Sequence, residues 1–128
     1  RRKIMDIGNL KNNYKLYEGF EGEEEIIMFI KENPSVNIHI WCGYFDEIFK
    51  EANLEGKGWK GFTRDYHQEE GAYICDDYEI DLKEYREDLL QYSNKKFENE
   101  ETKEAYNLIL DILDYAINNN LTVIMEVA

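Results

Sequence analysis

Glu21 to Cys42 reads EGEEEIIMFIKENPSVNIHIWC, and the fold turns on where the periodicity of this stretch changes. In its first half, Glu23, Glu24 and Glu25 suit the positive end of a helix dipole, and Ile26, Ile27, Phe29 and Ile30 supply an apolar face. A first helix is therefore expected over Glu21 to Asn33, closed by Asn33-Pro34. From Val36 the period drops to two. Val36, Ile38, Ile40 and Cys42 fall on one side and Asn37, His39 and Trp41 on the other, which is the pattern of a half-buried strand.

Downstream of Gly43, Phe45, Ile48, Phe49 and Ala52 recur at helical spacing, so a short second helix should run up to the Gly56-Lys57-Gly58 turn. Trp59 to Tyr66 and Ala72 to Tyr78 are aromatic-rich runs separated by His67-Gln68-Glu69-Glu70-Gly71, and their spacing predicts a β-hairpin. Asp81 with Glu84 three residues later has the form of a capping box ahead of a helix whose face carries Leu82, Tyr85, Leu89 and Tyr92. A fourth helix is expected from Glu100 to Ile117 on the stripe Ala105, Ile109, Ile112, Leu113 and Ala116. Asn118-Asn119-Asn120 suits its left-handed end. Leu121 to Val127, β-branched and mostly apolar, should join the sheet near its middle. The sum is an α+β fold: a small, mainly antiparallel sheet with about four helices packed on it. With no repeat, no low-complexity tract and one proline, residues 1–128 read as a single domain, Arg1 to Ile4 being extra residues ahead of a native start at Met5.

Composition bounds the function. Fifteen Lys and Arg against 28 Asp and Glu leave a formal charge of -13, so a polyanion or an anionic membrane surface would be repelled. Apolar residues at 43% and aromatics at 14% suffice for a packed core despite that charge. No apolar run approaches the roughly 20 residues of a membrane span, and no secretory leader is visible. Cys42 and Cys75 are too few for a disulfide framework, which points to reduced thiols and a cytoplasmic protein.

The sequence holds no nucleotide-binding loop, nucleophile elbow or metalloprotease motif. The groups left for catalysis are His39, His67, Cys42, Cys75 and the carboxylates. His39 reads as a partly exposed strand histidine beside Trp41, His67 as a solvated turn residue, and Cys42 as a small core residue. Neither a catalytic set, a metal site nor a cofactor site is expected. Tyr85, Tyr92 and Tyr106 are assigned to the core. Trp59, Phe62, Tyr66, Tyr73 and Tyr78 are expected on hairpin faces, where some await a partner.

Charge is the most specific local feature. Between Asp65 and Asp81 stand Asp65, Glu69, Glu70, Asp76, Asp77, Glu79 and Asp81, without one Lys or Arg. A surface of Asp65, Tyr66, Glu69, Glu70, Tyr73, Asp76, Asp77, Tyr78 and Glu79 would combine anionic charge with aromatic anchors, as a docking site for a basic protein requires. Nucleases fit, because their clefts must be basic to hold phosphates.

Trp41-Cys42-Gly43 followed by Phe45-Asp46-Glu47, the Gly58-Trp59 to Phe62 hairpin opening, the Ile80-Asp81-Leu82 helix start with Tyr85, and the long helix from Glu100 resemble the immunity proteins of contact-dependent growth inhibition systems, particularly those paired with ribonuclease toxins. The likeness spans roughly residues 36 to 117. It implies a small cytoplasmic bacterial protein that binds one cognate toxin domain and blocks it, with no cofactor; the missing enzyme motifs and the net charge add the expectation of no catalysis and no direct contact with nucleic acid or membrane. The rival expectations are a nucleic-acid mimic or regulatory adaptor for another basic protein, and a small hydrolase using His67 with Asp65 or a neighbouring glutamate.

Overall fold

The computed structural model describes residues 7–50, 60–68 and 77–128. A 3₁₀ turn at Ile7–Leu10 leads into β1 (Asn13–Leu16), β2 (Glu25–Ile30), β3 (Asn33–Trp41), α1 (Cys42–Phe49), α2 (Gly61–Gln68), β4 (Tyr78–Glu79), α3 (Leu82–Leu90), α4 (Glu100–Asn118) and β5 (Val123–Val127). The strands lie in the order β1-β3-β2-β5-β4. β1 runs parallel to β3, and the other neighbouring pairs are antiparallel. The α+β domain with a mostly antiparallel sheet is thus the one expected, reached by a different assignment of two segments.

The first correction falls on Glu21 to Asn33. Its apolar core is not a helix but β2, which forms a hairpin with β3 and pairs with β5 on its other side. A short apolar run satisfies helical and strand periods alike, and the sheet partners decide between them. Ile26, Met28 and Ile30 are fully buried at period two, while Ile27 and Phe29 alternate to the other face. Asn33-Pro34 consequently opens β3 instead of closing a helix.

The second correction is the hairpin. Residues 61–68 form α2, and Tyr78–Glu79 pairs with β5. α2 eluded the periodicity because its buried face is mostly polar: Phe62 and Thr63 are buried, and so is Asp65. Thr63 is bonded to Asp88 of α3, its N–H and its hydroxyl both donating to Oδ2 at 2.9 Å, while its Oγ1 lies 2.6 Å from the hydroxyl of Tyr92. Gly61 opens this helix at φ +55°, where a side chain would meet the backbone of Tyr85, and its N–H donates to Glu84.

Elsewhere the local signals held. Asp81 caps α3 by accepting from the Glu84 N–H at 3.0 Å. The stripe of Ala105, Ile109, Ile112, Leu113 and Ala116 is wholly buried in α4, and Asn120 takes φ +57° after it. β5 has a neighbour on each side. Tyr85, Tyr92 and Tyr106 are buried as assigned. The helices cover the sheet face formed by Ile26, Met28, Ile30, Val36, Ile38, Ile40, Val123 and Met125, all fully buried. Among the described residues, no helix is long and apolar enough to cross a membrane. Ala52, the Gly56-Lys57-Gly58 turn, Trp59, Glu69, Glu70, Gly71, Tyr73, Cys75 and Asp76 lie outside the described residues, as do Arg1 to Met5.

Candidate functional site

The face of the sheet turned away from the helices is assembled by strand register. His39, Ile27 and Glu126 form one row across β3, β2 and β5. Asn37, Phe29, Ile124 and Glu79 form the next, across β3, β2, β5 and β4. The alternation that sends Tyr78 inward places Glu79 outward, and Asp77 sits against Glu126 at the end of the first row. Glu25 lies opposite Trp41 in the row above. The centre is therefore Ile27, Phe29 and Ile124, each partly exposed, with Glu25, Glu126, Asp77 and Glu79 around it. Among the described residues, the outward positions of β2 to β5 carry no Lys or Arg.

The polar flank is tightly organised. His39 Nδ1 lies 2.6 Å from Glu25 Oε1 and Nε2 lies 3.0 Å from Asn37 Oδ1. Tyr14, half exposed, stacks on the imidazole with ring centroids 3.9 Å apart. Asn37 in turn donates to Asn12 and to the Pro34 carbonyl. With both ring nitrogens engaged, His39 serves as a rigid strut between strands. Burial first, then the charges of Asp77 and Glu25, push Glu126 above the usual carboxylate range, and His39 pulls the other way. Carboxylates held this close repel one another, and an incoming cation would relieve that repulsion.

At one end of the face, Trp41 stacks flat on Phe20 at 3.9 Å, meets Tyr44 edge-on, and donates its indole N–H to Glu23. Gly43 is required beneath it, because a Cβ there would fall 2.3 Å from the indole ring. Cys42 is the first residue of α1 and partly exposed, not the small core residue expected, because β3 ends at Trp41. Burial pushes its thiol up, and Asp46, Glu24 and Glu23 add to the effect, which disfavours the nucleophilic thiolate.

The acidic run divides. Asp65 is 7% exposed, and its Oδ2 accepts from the hydroxyls of Tyr78 at 2.7 Å and Tyr85 at 2.6 Å. It belongs to the interior and not to a presented surface. Desolvation, together with the bond to Asp65, drives both phenols far above their ordinary range. Tyr78 is half buried, with its hydroxyl spent on Asp65, and Tyr66 bonds to Asp46. Phe62 is fully buried, so it is no waiting contact. His67 lies in the last turn of α2 with Nε2–H donating to the Phe49 carbonyl at 2.9 Å, so it is neither a hairpin-tip nor a freely solvated residue. Of the expected docking residues, Asp77 and Glu79 are exposed and stand together on the outward face, whereas Glu69, Glu70, Tyr73 and Asp76 lie outside the described residues.

Sequence reasoning missed Glu25, Ile27, Phe29, Ile124 and Glu126. Residues 26–30 are apolar throughout and carry no alternation that would reveal them, and in 123–127 the one available signal was Glu126, a single acid in an otherwise apolar strand. Glu47, within the Phe45-Asp46-Glu47 segment, instead joins α1 to the start of α4. It accepts from the Glu98 N–H, the Thr102 hydroxyl and the Asn99 amide. Lys95 closes the other side of that joint by donating to the carbonyls of Glu47 and Ile48. Among the described residues, no three His, Cys, Asp or Glu side chains are grouped to hold a metal ion. Compared with known proteins, the chain matches no family model, no curated protein and no solved structure.

Proposed function

We propose that this chain is a non-catalytic inhibitor, an immunity protein that binds a cognate basic toxin domain, a ribonuclease, in the bacterial cytoplasm and occludes its cleft without any cofactor. The observation that carries the reading is the convergence of Asp77 and Glu79 with Glu25 and Glu126 on one sheet face that has no Lys or Arg among its described outward positions. The resemblance in the Trp41 to Glu47 and Ile80 to Tyr85 segments supports the same class. A nuclease cleft holds phosphates with cations, and carboxylates on a rigid sheet occupy it by presenting the same sign of charge. Opposite fields raise association rates toward about 10⁸ M⁻¹s⁻¹ at low salt.

The test purifies the products of the genes adjacent to this one, mixes each with the purified chain and follows RNA cleavage. Stoichiometric inhibition is expected, with an association rate that falls as salt rises and falls again in Asp77→Lys and Glu79→Lys. Undiminished cleavage removes the immunity reading. Binding to a housekeeping DNA-processing protein in place of the toxin would establish the rival reading, a nucleic-acid mimic or regulatory adaptor.

A further inference from the structure

We infer that the outward sheet face is the docking platform for a basic amphipathic segment of another protein, seated across β2 and β5. The inference rests on the reading of the chain as a binder of a basic protein, not on that partner being a toxin. Its apolar centre is Ile27, Phe29 and Ile124, contributed by adjacent strands at neighbouring register positions. Neighbouring strands lie about 4.8 Å apart and alternate residues about 6.7 Å apart, so these three side chains form one continuous patch. Glu126, Asp77 and Glu79 lie beside it toward β4, and Glu25 stands at its end. A segment whose apolar side chains meet the patch therefore carries its flanking side chains over carboxylates, and Lys or Arg there completes the pairing.

Charge also selects among occupants. A second copy docked face to face would bring Glu25, Asp77, Glu79 and Glu126 against their equals, in a chain whose net charge is -13. Nucleic acid and anionic membrane meet the same repulsion. A cationic protein segment meets attraction from the rim and apolar contact from the centre. The mutual repulsion around Glu126 is relieved when a cation arrives.

The experiment uses the whole chain and three synthetic probes: a peptide alternating Leu and Arg, one alternating Leu and Glu, and one alternating Ser and Arg. Amide chemical shifts are followed by NMR at low and high salt. The Leu/Arg peptide should shift the amides of Ile27, Phe29, Ile124 and Glu126 and bind more weakly at high salt. Binding should fall about tenfold in Ile27→Ser with Ile124→Ser, and about threefold in the surface variant Asp77→Asn with Glu79→Gln, whose fold is not at risk. Equal binding of the Ser/Arg peptide, shifts confined to the helical layer, or affinity unchanged in both variants would overturn the inference. Concentration-dependent dimerisation through the same amides without peptide would overturn it as well, in favour of a second copy. Peptide binding here with no toxin inhibition would leave the inference standing and remove the immunity reading. Toxin inhibition that survives both variants would do the reverse.

Discussion

Asp65 and Asp77 belong to one acidic run, yet they do opposite things. Asp65 is turned inward and spends its carboxylate on two tyrosine hydroxyls from β4 and α3. Asp77 is exposed, faces another carboxylate, and with Glu79 edges the outward face of the sheet. The first acid contributes cohesion and the second contributes field. The difference lies in what surrounds each: donors converge on Asp65, so its burial is compensated, whereas Asp77 keeps water and long-range reach.

Removing the inward acid should give the largest effect. Asp65→Ala takes the carboxylate acceptor from the buried hydroxyl of Tyr85 and the half-buried one of Tyr78, and is expected to cost about 3 kcal/mol of unfolding free energy in urea denaturation. Tyr85→Phe, which deletes one donor, should cost roughly a third of that. A loss under about 0.5 kcal/mol for Asp65→Ala would erase the contrast between the two acids.

Next come the two carboxylates whose shifts have opposite sign. Burial holds Asp88 above its ordinary 3.8, despite hydrogen bonds from Thr63 and Gln91 that pull it down. The folded chain therefore keeps that proton to higher pH than the unfolded chain. The stability it lends is complete below 3.8 and is lost as pH rises through the raised value. Glu47 behaves inversely: burial would raise it, but bonds from Thr102, the Glu98 N–H and Asn99 outweigh burial and hold it below 4.5. Its contribution is present above 4.5 and is lost as pH falls through the lowered value. Denaturation across pH 3 to 7 should show the stability difference between the parent chain and Asp88→Asn shrinking with rising pH, and that for Glu47→Gln growing.

Asp81→Ala removes the cap of α3 and should cost about 1 kcal/mol, read as a lower thermal midpoint. Smallest of all on stability, Asp77→Asn and Glu79→Gln should each change it by less than about 0.5 kcal/mol. Their effect belongs to association with a basic partner, strongest at low salt because screening acts beyond about 8 to 10 Å. A large stability loss from either would move them to the class of Asp65.

The elements legible in the sequence were those whose evidence is local. α4 announces itself through a full stripe from Ala105 to Ala116, and α3 through Asp81 with Glu84. β2 was misread because Ile26 to Ile30 is apolar on both faces, so helical and strand periods fit equally until β3 and β5 flank it. α2 was misread because Thr63 and Asp65, polar by type, are interior by position, and hydropathy carries no sign of the donors that reach them. Of the candidate site, the negative charge and the membership of Asp77 and Glu79 were legible. Their neighbours Glu25 and Glu126 were not, since each lies far away along the chain.

Composition and local periodicity thus established the excess of negative charge, the fold class and the helices that cap and pack on their own signals, because those properties depend on residues within a few turns of one another. Which acids face water, and which strand lies beside which, followed from long-range pairing. Only the folded chain brings Tyr78 and Tyr85 to Asp65, and only the register of β2 with β5 and β4 sets Ile27, Phe29 and Ile124 among carboxylates.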